Sequence, residues 1–231
     1  MKQLIVLITA FITMNTYSQS LHYLVREPKI KSAHPPVLFL LHGVGSNEKD
    51  LFGFADKLPE EYLVISARGP ITIAEGRYAW FHVDFTPDGP KIKFDEQENS
   101  RKLIAKFIKE MQGKYHFDEK RALLVGFSQG GIMNYSVALT NPGLVKGIAI
   151  MSSRLLPEIK PLVAPVDKLK GLNIHISHGT ADNVLQVDYA RSAKAYLEGL
   201  GLKPDYHEYP GAVHTITPAM FADLLTWINS L

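Results

Sequence analysis

Ser128 stands in Gly126-Phe127-Ser128-Gln129-Gly130-Gly131, after the apolar run Ala122-Leu123-Leu124-Val125 and before a helix-like run from Ile132 to Leu139. A serine between two glycines at a strand-to-helix turn has the pattern of a nucleophile held on a tight elbow. Side chains at Gly126 or Gly130 would collide across so sharp a turn, and the serine is pushed up beside a helix N-terminus. Unpaired N–H groups there favour developing negative charge. A hydroxyl needs a base, and the base needs an orienting acid. Downstream, Ile174-His175-Ile176-Ser177-His178-Gly179-Thr180-Ala181-Asp182 is an apolar strand running into a loop that ends in an acid. Further on, Tyr206-His207-Glu208-Tyr209-Pro210-Gly211-Ala212-Val213-His214 gives a short strand, a turn and a histidine. Ser128, Asp182 and His214 are therefore the expected catalytic residues.

Serine, then acid, then histidine, each on a loop after a strand, is the order of α/β-hydrolases and differs from the orders in chymotrypsin and subtilisin. Upstream, Val37-Leu38-Phe39-Leu40-Leu41 reads as a buried parallel strand ending in His42-Gly43-Val44-Gly45-Ser46. In this architecture the loop after that strand and the residue after the nucleophile supply the oxyanion-hole amides, here those of Val44 and Gln129. The plainer reading is that His42-Gly43 only ends a strand.

These blocks resemble the phospholipase/carboxylesterase family of α/β-hydrolases, which includes acyl-protein thioesterases. The resemblance runs from about Val37 to the C-terminus. It rests on Leu41-His42-Gly43-Val44-Gly45, Gly126-Phe127-Ser128-Gln129-Gly130-Gly131, His178-Gly179-Thr180-Ala181-Asp182 and Gly211-Ala212-Val213-His214. A fifth block, Ala79-Trp80-Phe81, is similar to the aromatic block beside the family's acyl site, which makes Trp80 and Phe81 substrate-binding candidates. Read without the family, both are ordinary core aromatics. The chain departs from the family with His82 in place of a common Asp, Ser152-Ser153 in place of Ser-Gly, and Gln186 in place of a common proline.

Each assignment has a rival. Asp188 also lies near the acid loop, but at a helix start, where an acid is routine. His178 reads as a loop hydrogen-bonder, and His175 and His207 as strand residues. Phe127 reads as packing beneath the elbow. Arg154 reads as a surface salt-bridge former, with contact to an anionic substrate group as the alternative.

Length and composition agree with one catalytic domain. At 231 residues the chain can bury a sizeable core, and no linker, charge block or repeat marks a second domain. With a net charge of +2 and scattered basic residues, nucleic acid has little electrostatic support as a partner. The absence of cysteine excludes disulfides, thiolate nucleophiles and lipid-anchored cysteines. No histidine spacing of the H-x-x-x-H kind implies a metal, and no cofactor is expected.

The first residues carry an address. Met1-Lys2 precedes an apolar run from Leu4 to Ile12, and small or polar residues follow. This reads as a signal peptide over residues 1–18, cleaved after Ser18 or alternatively Ser20, with residues 19–231 as the mature catalytic domain. The rival is a buried N-terminal strand. The run is too short to serve as a stable membrane anchor. Export would place the protein in a periplasm or outside the cell.

Strand signals fall at Leu21–Val25, Val37–Leu41, Leu63–Ser66, Ala122–Phe127, Gly147–Met151, Asn173–Ser177 and Asp205–Tyr209, and helix signals at Glu98–Lys114, Val187–Leu200 and Pro218–Ile228. Their alternation predicts an α/β-hydrolase fold: a mostly parallel sheet with helices on both faces. Residues 67–97 fit no regular pattern and are expected to fold over the site edge. The leading function is a serine carboxylesterase acting on short- or medium-chain esters. A lysophospholipase or thioesterase would use the same residues. A serine peptidase would need a large extra domain, and a non-catalytic binding module would be expected to lack a triad residue.

Overall fold

The computed structural model describes residues 21–86 and 89–231, with the backbone alone for Phe85 and Gly89. The signal peptide expected over residues 1–18 lies outside the described residues. The strands, in chain order, are β1 (Tyr23–Arg26), β2 (Val37–Leu41), β3 (Leu63–Ala67), β4 (Ile71–Ala74), β5 (Arg77–Ala79), β6 (Val83–Thr86), β7 (Gly89–Ile92), β8 (Ala122–Phe127), β9 (Gly147–Met151), β10 (Asn173–Gly179) and β11 (Asp205–Tyr209). The helices are α1 (Lys49–Phe52), α2 (Phe94–Tyr115), α3 (Gln129–Thr140), α4 (Val166–Leu169), α5 (Val187–Gly199) and α6 (Pro218–Asn229).

Seven strands form one sheet in the order β1-β3-β2-β8-β9-β10-β11. Only β1 is antiparallel to its neighbour, pairing Tyr23 with Ala67. The apolar runs behave as strands buried on both faces should. Along β2, Val37, Phe39 and Leu41 join one core cluster, while Leu38 and Leu40 join the other. β8 and β9 alternate likewise: Leu124 and Ile150 face one cluster, Val125 and Met151 the other. Helices α2, α3 and α5 contribute to the first cluster and α1 and α6 to the second. The result is a single α/β-hydrolase domain.

Helix α3 is buried along its length, from Gln129 to Leu139. It has no solvent face to offer and lies between the sheet and α2, with its buried Asn134 donating to Ala149 O and Ser136 to Ile132 O.

The segment 67–97 is more regular than expected. It holds two hairpins: β4 with β5 around Glu75-Gly76, and β6 with β7 around residues 87–88. Helix α2 starts at Phe94, inside the segment. Strands of three or four residues are too short for a two-residue period to stand out. The Glu75-Gly76 connection, with Gly76 at φ 68°, is the local signal that marked a turn.

The chain after β2 is anchored by charge. Glu48, 1% exposed, accepts two hydrogen bonds from Arg68, Nε to Oε2 and Nη2 to Oε1, both 2.6 Å. The Arg68 guanidinium also lies 4.4 Å from the Tyr78 ring centroid. Those bonds hold the Glu48 carboxyl down to about 2, outweighing the opposing effect of burial. A depressed carboxyl stabilises the fold above its ordinary pKa, and that stabilisation is lost as pH falls through the folded value. Glu48→Gln should therefore lower stability by about 1–2 kcal/mol near neutral pH. Melts at a series of pH values should show the gap from wild type narrowing between pH 4.5 and about 2.

Candidate active site

Ser128 occupies the turn from β8 into α3 with φ 53° and ψ −117°, a left-handed conformation strained for any residue with a side chain. Crowding enforces the glycines around it. A Cβ on Gly126 would lie 2.5 Å from the Gly130 carbonyl carbon, and one on Gly130 would overlap the Leu41 carbonyl oxygen. The turn is fixed on two more sides. Ser128 N–H donates to Met151 O at 2.9 Å, and Ser153 Oγ donates to Ser128 O at 2.6 Å.

The acid and histidine loops are brought together by strand pairing. β10 and β11 run parallel in the register His175 opposite Asp205 through Gly179 opposite Tyr209. Hydrogen bonds continue past the strand ends: Thr180 N–H to Tyr209 O at 3.0 Å, Ala181 N–H to Ala212 O at 3.0 Å, and Gly211 N–H to Thr180 Oγ1 at 2.9 Å. Gly179 permits the approach, since a Cβ there would meet the Ala212 carbonyl. The two loops therefore form one unit.

That unit places Asp182 and His214 against Ser128. Ser128 Oγ donates to His214 Nε2 at 3.0 Å, and His214 Nδ1 donates to Asp182 Oδ2 at 2.7 Å. Ser128 and Asp182 are 6% and 5% exposed. Asp182 Oδ1 accepts from the Val184 and Leu185 amides at 2.9 and 2.8 Å, so the carboxylate is oriented from both sides. His178 Nε2 donates to Leu185 O at 2.7 Å and lies 3.3 Å from Asp182 Oδ2. Burial lowers the pKa of His178, which keeps a second positive charge away from the pair. Asp188 lies in the first turn of α5, bonded to Arg191 at 3.0 Å.

Phe127 does more than pack beneath the elbow. Its ring lies 4.9 Å from the His214 ring, tilted by 43°, and so limits the swing of the imidazole.

Val44 and Gln129 line one cavity with Ser128, and neither amide has an acceptor among the described residues. The loop carrying Val44 is pinned by His42, which is fully buried and does more than end a strand. Its Nδ1 donates to Gly43 O at 2.8 Å, its Nε2 accepts from Gly69 N–H at 2.9 Å, and its carbonyl accepts from Trp80 Nε1 at 3.0 Å. Burial lowers the His42 pKa, in keeping with a neutral ring whose two nitrogens have opposite roles. Nothing in the residue pattern separated this role from that of a strand-end histidine.

The aromatic pair divides. Phe81 lines the cavity with Ser128. Trp80 does not line it; the indole is buried against His42 and holds the loop carrying Val44 from behind. Gln129 fixes both, accepting from Trp80 N–H with Oε1 and donating to Phe81 O with Nε2, each at 2.7 Å. This clamp gives the side chain after Ser128 a structural role of its own, beyond the amide expected to act there. Of the departures from the family pattern, His82 donates to Glu96 through its Nδ1 at 2.8 Å, Ser153 donates to the Ser128 carbonyl, and Gln186 caps α5 without a side-chain bond.

The cavity holds about 40 Å³. Its walls include Phe81, Val83, Ile132 and Leu185, with Arg154 as the one charged residue among the described residues. Val83 and Pro90 come from the second hairpin, so part of segment 67–97 does border the site. A larger cavity of about 720 Å³ opens at the other end of the sheet, where β10 and β11 begin, and holds none of the three residues. Beside it His175 Nδ1 and His207 Nε2 both donate to Asp205, at 2.7 and 2.8 Å. Strand register builds that cluster, which is why linear histidine spacing gave no hint of it.

The chain matches the phospholipase/carboxylesterase family over residues 23–231. It is 26% identical to acyl-protein thioesterase 1 of Mycosarcoma maydis over 234 residues, spanning 90% of this chain and 96% of that one. The Candida albicans protein of the same name is 24% identical, covering 90% and 96%. In fold, the chain resembles the Bacillus cereus carboxylesterase with a TM-score of 0.79 at 24% identity, covering 94% and 99%.

The Gln129 clamp is open to measurement. Gln129→Ala leaves a buried N–H and a buried carbonyl without partners, each worth about 1–3 kcal/mol. Urea unfolding should show a loss of about 2–6 kcal/mol, and a loss below about 0.5 kcal/mol would mean that water or another group replaces the clamp.

Proposed function

Because the chain belongs to the phospholipase/carboxylesterase family, we propose that it is a serine hydrolase that cleaves short-chain carboxylic esters through Ser128, His214 and Asp182. The observation that carries this reading is the unbroken run of hydrogen bonds from the Ser128 hydroxyl through His214 to Asp182. His214 Nε2 takes the hydroxyl proton as Oγ attacks the ester carbonyl. Asp182 fixes the tautomer with the proton on Nδ1 and offsets the charge of the imidazolium that forms. The oxyanion develops between the amides of Val44 and Gln129, the latter at the positive end of α3, and each such donor is worth about 3–4 kcal/mol of barrier. His214 returns the proton to the departing alcohol. Water, deprotonated by the same nitrogen, then releases the acid.

Cavity size supports the short chain. Drug-sized ligands occupy roughly 300–1,000 Å³, far more than the roughly 40 Å³ beside Ser128. The names of the fungal relatives favour a second reading, acyl thioester hydrolysis at the same serine. A thioester differs in its leaving group, so the same residues would serve it. The apolar run after Met1-Lys2 supports export, with a mature protein starting at Gln19. Mass spectrometry of the chain recovered from the host should give that N-terminus, and a chain found only inside the cell with residues 1–18 retained would refute export.

Ser128→Ala should lose nearly all turnover of butyrate esters while keeping its melting temperature. Asp182→Asn should fall by about 10⁴ in kcat. A fluorophosphonate probe should label wild type at Ser128 and leave the alanine variant unlabelled. Full activity in Ser128→Ala would overturn the reading, and an acyl series from acetate to palmitate, as oxygen esters and thioesters, should peak at the short end.

A further inference from the structure

Arg154 has no ion pair among the described residues. No carboxylate among the described residues lies within 4.0 Å of it, whereas Arg68, Arg101 and Arg191 all have acidic partners. The expected surface salt bridge is not formed among the described residues. Its guanidinium lies 5.3 Å from the Tyr189 ring centroid, and its Nε is buried with no hydrogen-bond partner. The same side chain lines the cavity that contains Ser128.

Backbone structure fixes Arg154 relative to the nucleophile. Ser153, the residue before it, donates to the Ser128 carbonyl, and Ser152 N–H donates to Ser177 O at 2.9 Å. Its neighbours in the cavity, Phe81, Val83, Ile132 and Leu185, are apolar. The nearby acid, Asp182, already serves His214 and two amides. An unpaired guanidinium in apolar surroundings is unfavourable by itself and attracts an anion more strongly than one in water would. Its planar donors suit an oxyanion.

We propose that Arg154 binds an anionic group of the substrate, so that the preferred ester carries a carboxylate or phosphate a few bonds from the scissile carbonyl. The inference rests on the hydrolase reading above and narrows its substrate class. A small cavity with one cation at its wall fits a short acyl chain ending in a carboxylate, such as a half-ester of a dicarboxylic acid. A phosphate on the alcohol side would present the same chemistry from the other direction.

The test compares matched pairs. Monoethyl succinate against ethyl butyrate places the charge on the acyl side, and butyryl-glycerol phosphate against butyryl-glycerol places it on the alcohol side. Wild type should favour the anionic member of one pair by about 10-fold or more in kcat/KM. Arg154→Met should collapse that ratio by about 10- to 100-fold, Arg154→Lys should restore part of it, and rising salt should reduce it. An equal ratio in wild type and Arg154→Met, or a preference for the neutral member of both pairs, would overturn the proposal. Calorimetry on Ser128→Ala separates the two readings. Anion binding that Arg154→Met abolishes, without turnover in wild type, supports the anion site and sinks hydrolysis. Turnover of neutral esters with no anion binding supports hydrolysis and sinks the anion site.

Discussion

The backbone of Ser128 is held in a conformation that an isolated chain would leave at once, and the rest of the site is arranged around that constraint. Its φ of 53° is retained because Gly126 and Gly130 let β8, α3 and the end of β2 approach within distances that no Cβ would survive. A strained residue persists only where its surroundings over-determine it. Here they include a bond to Met151, a bond from Ser153 and a helix with no free face. The strain is sustained by the core, and what it secures is a hydroxyl at a fixed point beside the first amides of α3.

A second constraint complements the first. Residues 182 and 214 are separated by a helix and a strand, yet the β10–β11 ladder extends into their loops and makes them one rigid corner. Between that corner and the elbow stands only the His214 ring, braced by Phe127 on its face and Asp182 at its edge. The arrangement asks little of side-chain flexibility. Geometry near the reacting atoms is set mainly by main-chain hydrogen bonds, which shift less than rotamers do.

Much of this was readable from residue types. The bounds expected for β2, β8, β9 and β11 match those found, because each is a buried run or is flanked by turn residues. Ser128, Asp182 and His214 were named from the loops after three strands, and those three side chains lie together. What escaped was long-range polar pairing. The contacts of Gln129 with residues 80 and 81, of His42 with Gly69 and Trp80, and of His175 and His207 with Asp205 join positions that no local period connects. Short hairpins escaped for a different reason, since three or four residues carry too little pattern. Trp80 was assigned to the acyl side by likeness, and its indole instead supports the loop from behind.

The burial of α3 on every side divides the molecule into parts with unequal room for change. Substitutions in that helix must conserve volume almost atom for atom, since every one of them disturbs a close-packed interior. The second hairpin and the stretch after β9 contribute Val83, Pro90 and Arg154 to the cavity beside Ser128, and these three are only half-buried. Substitution at these three positions therefore reshapes the cavity wall without disturbing the packed helix. The interior around Ser128 can stay unaltered while the outer wall of the cavity changes.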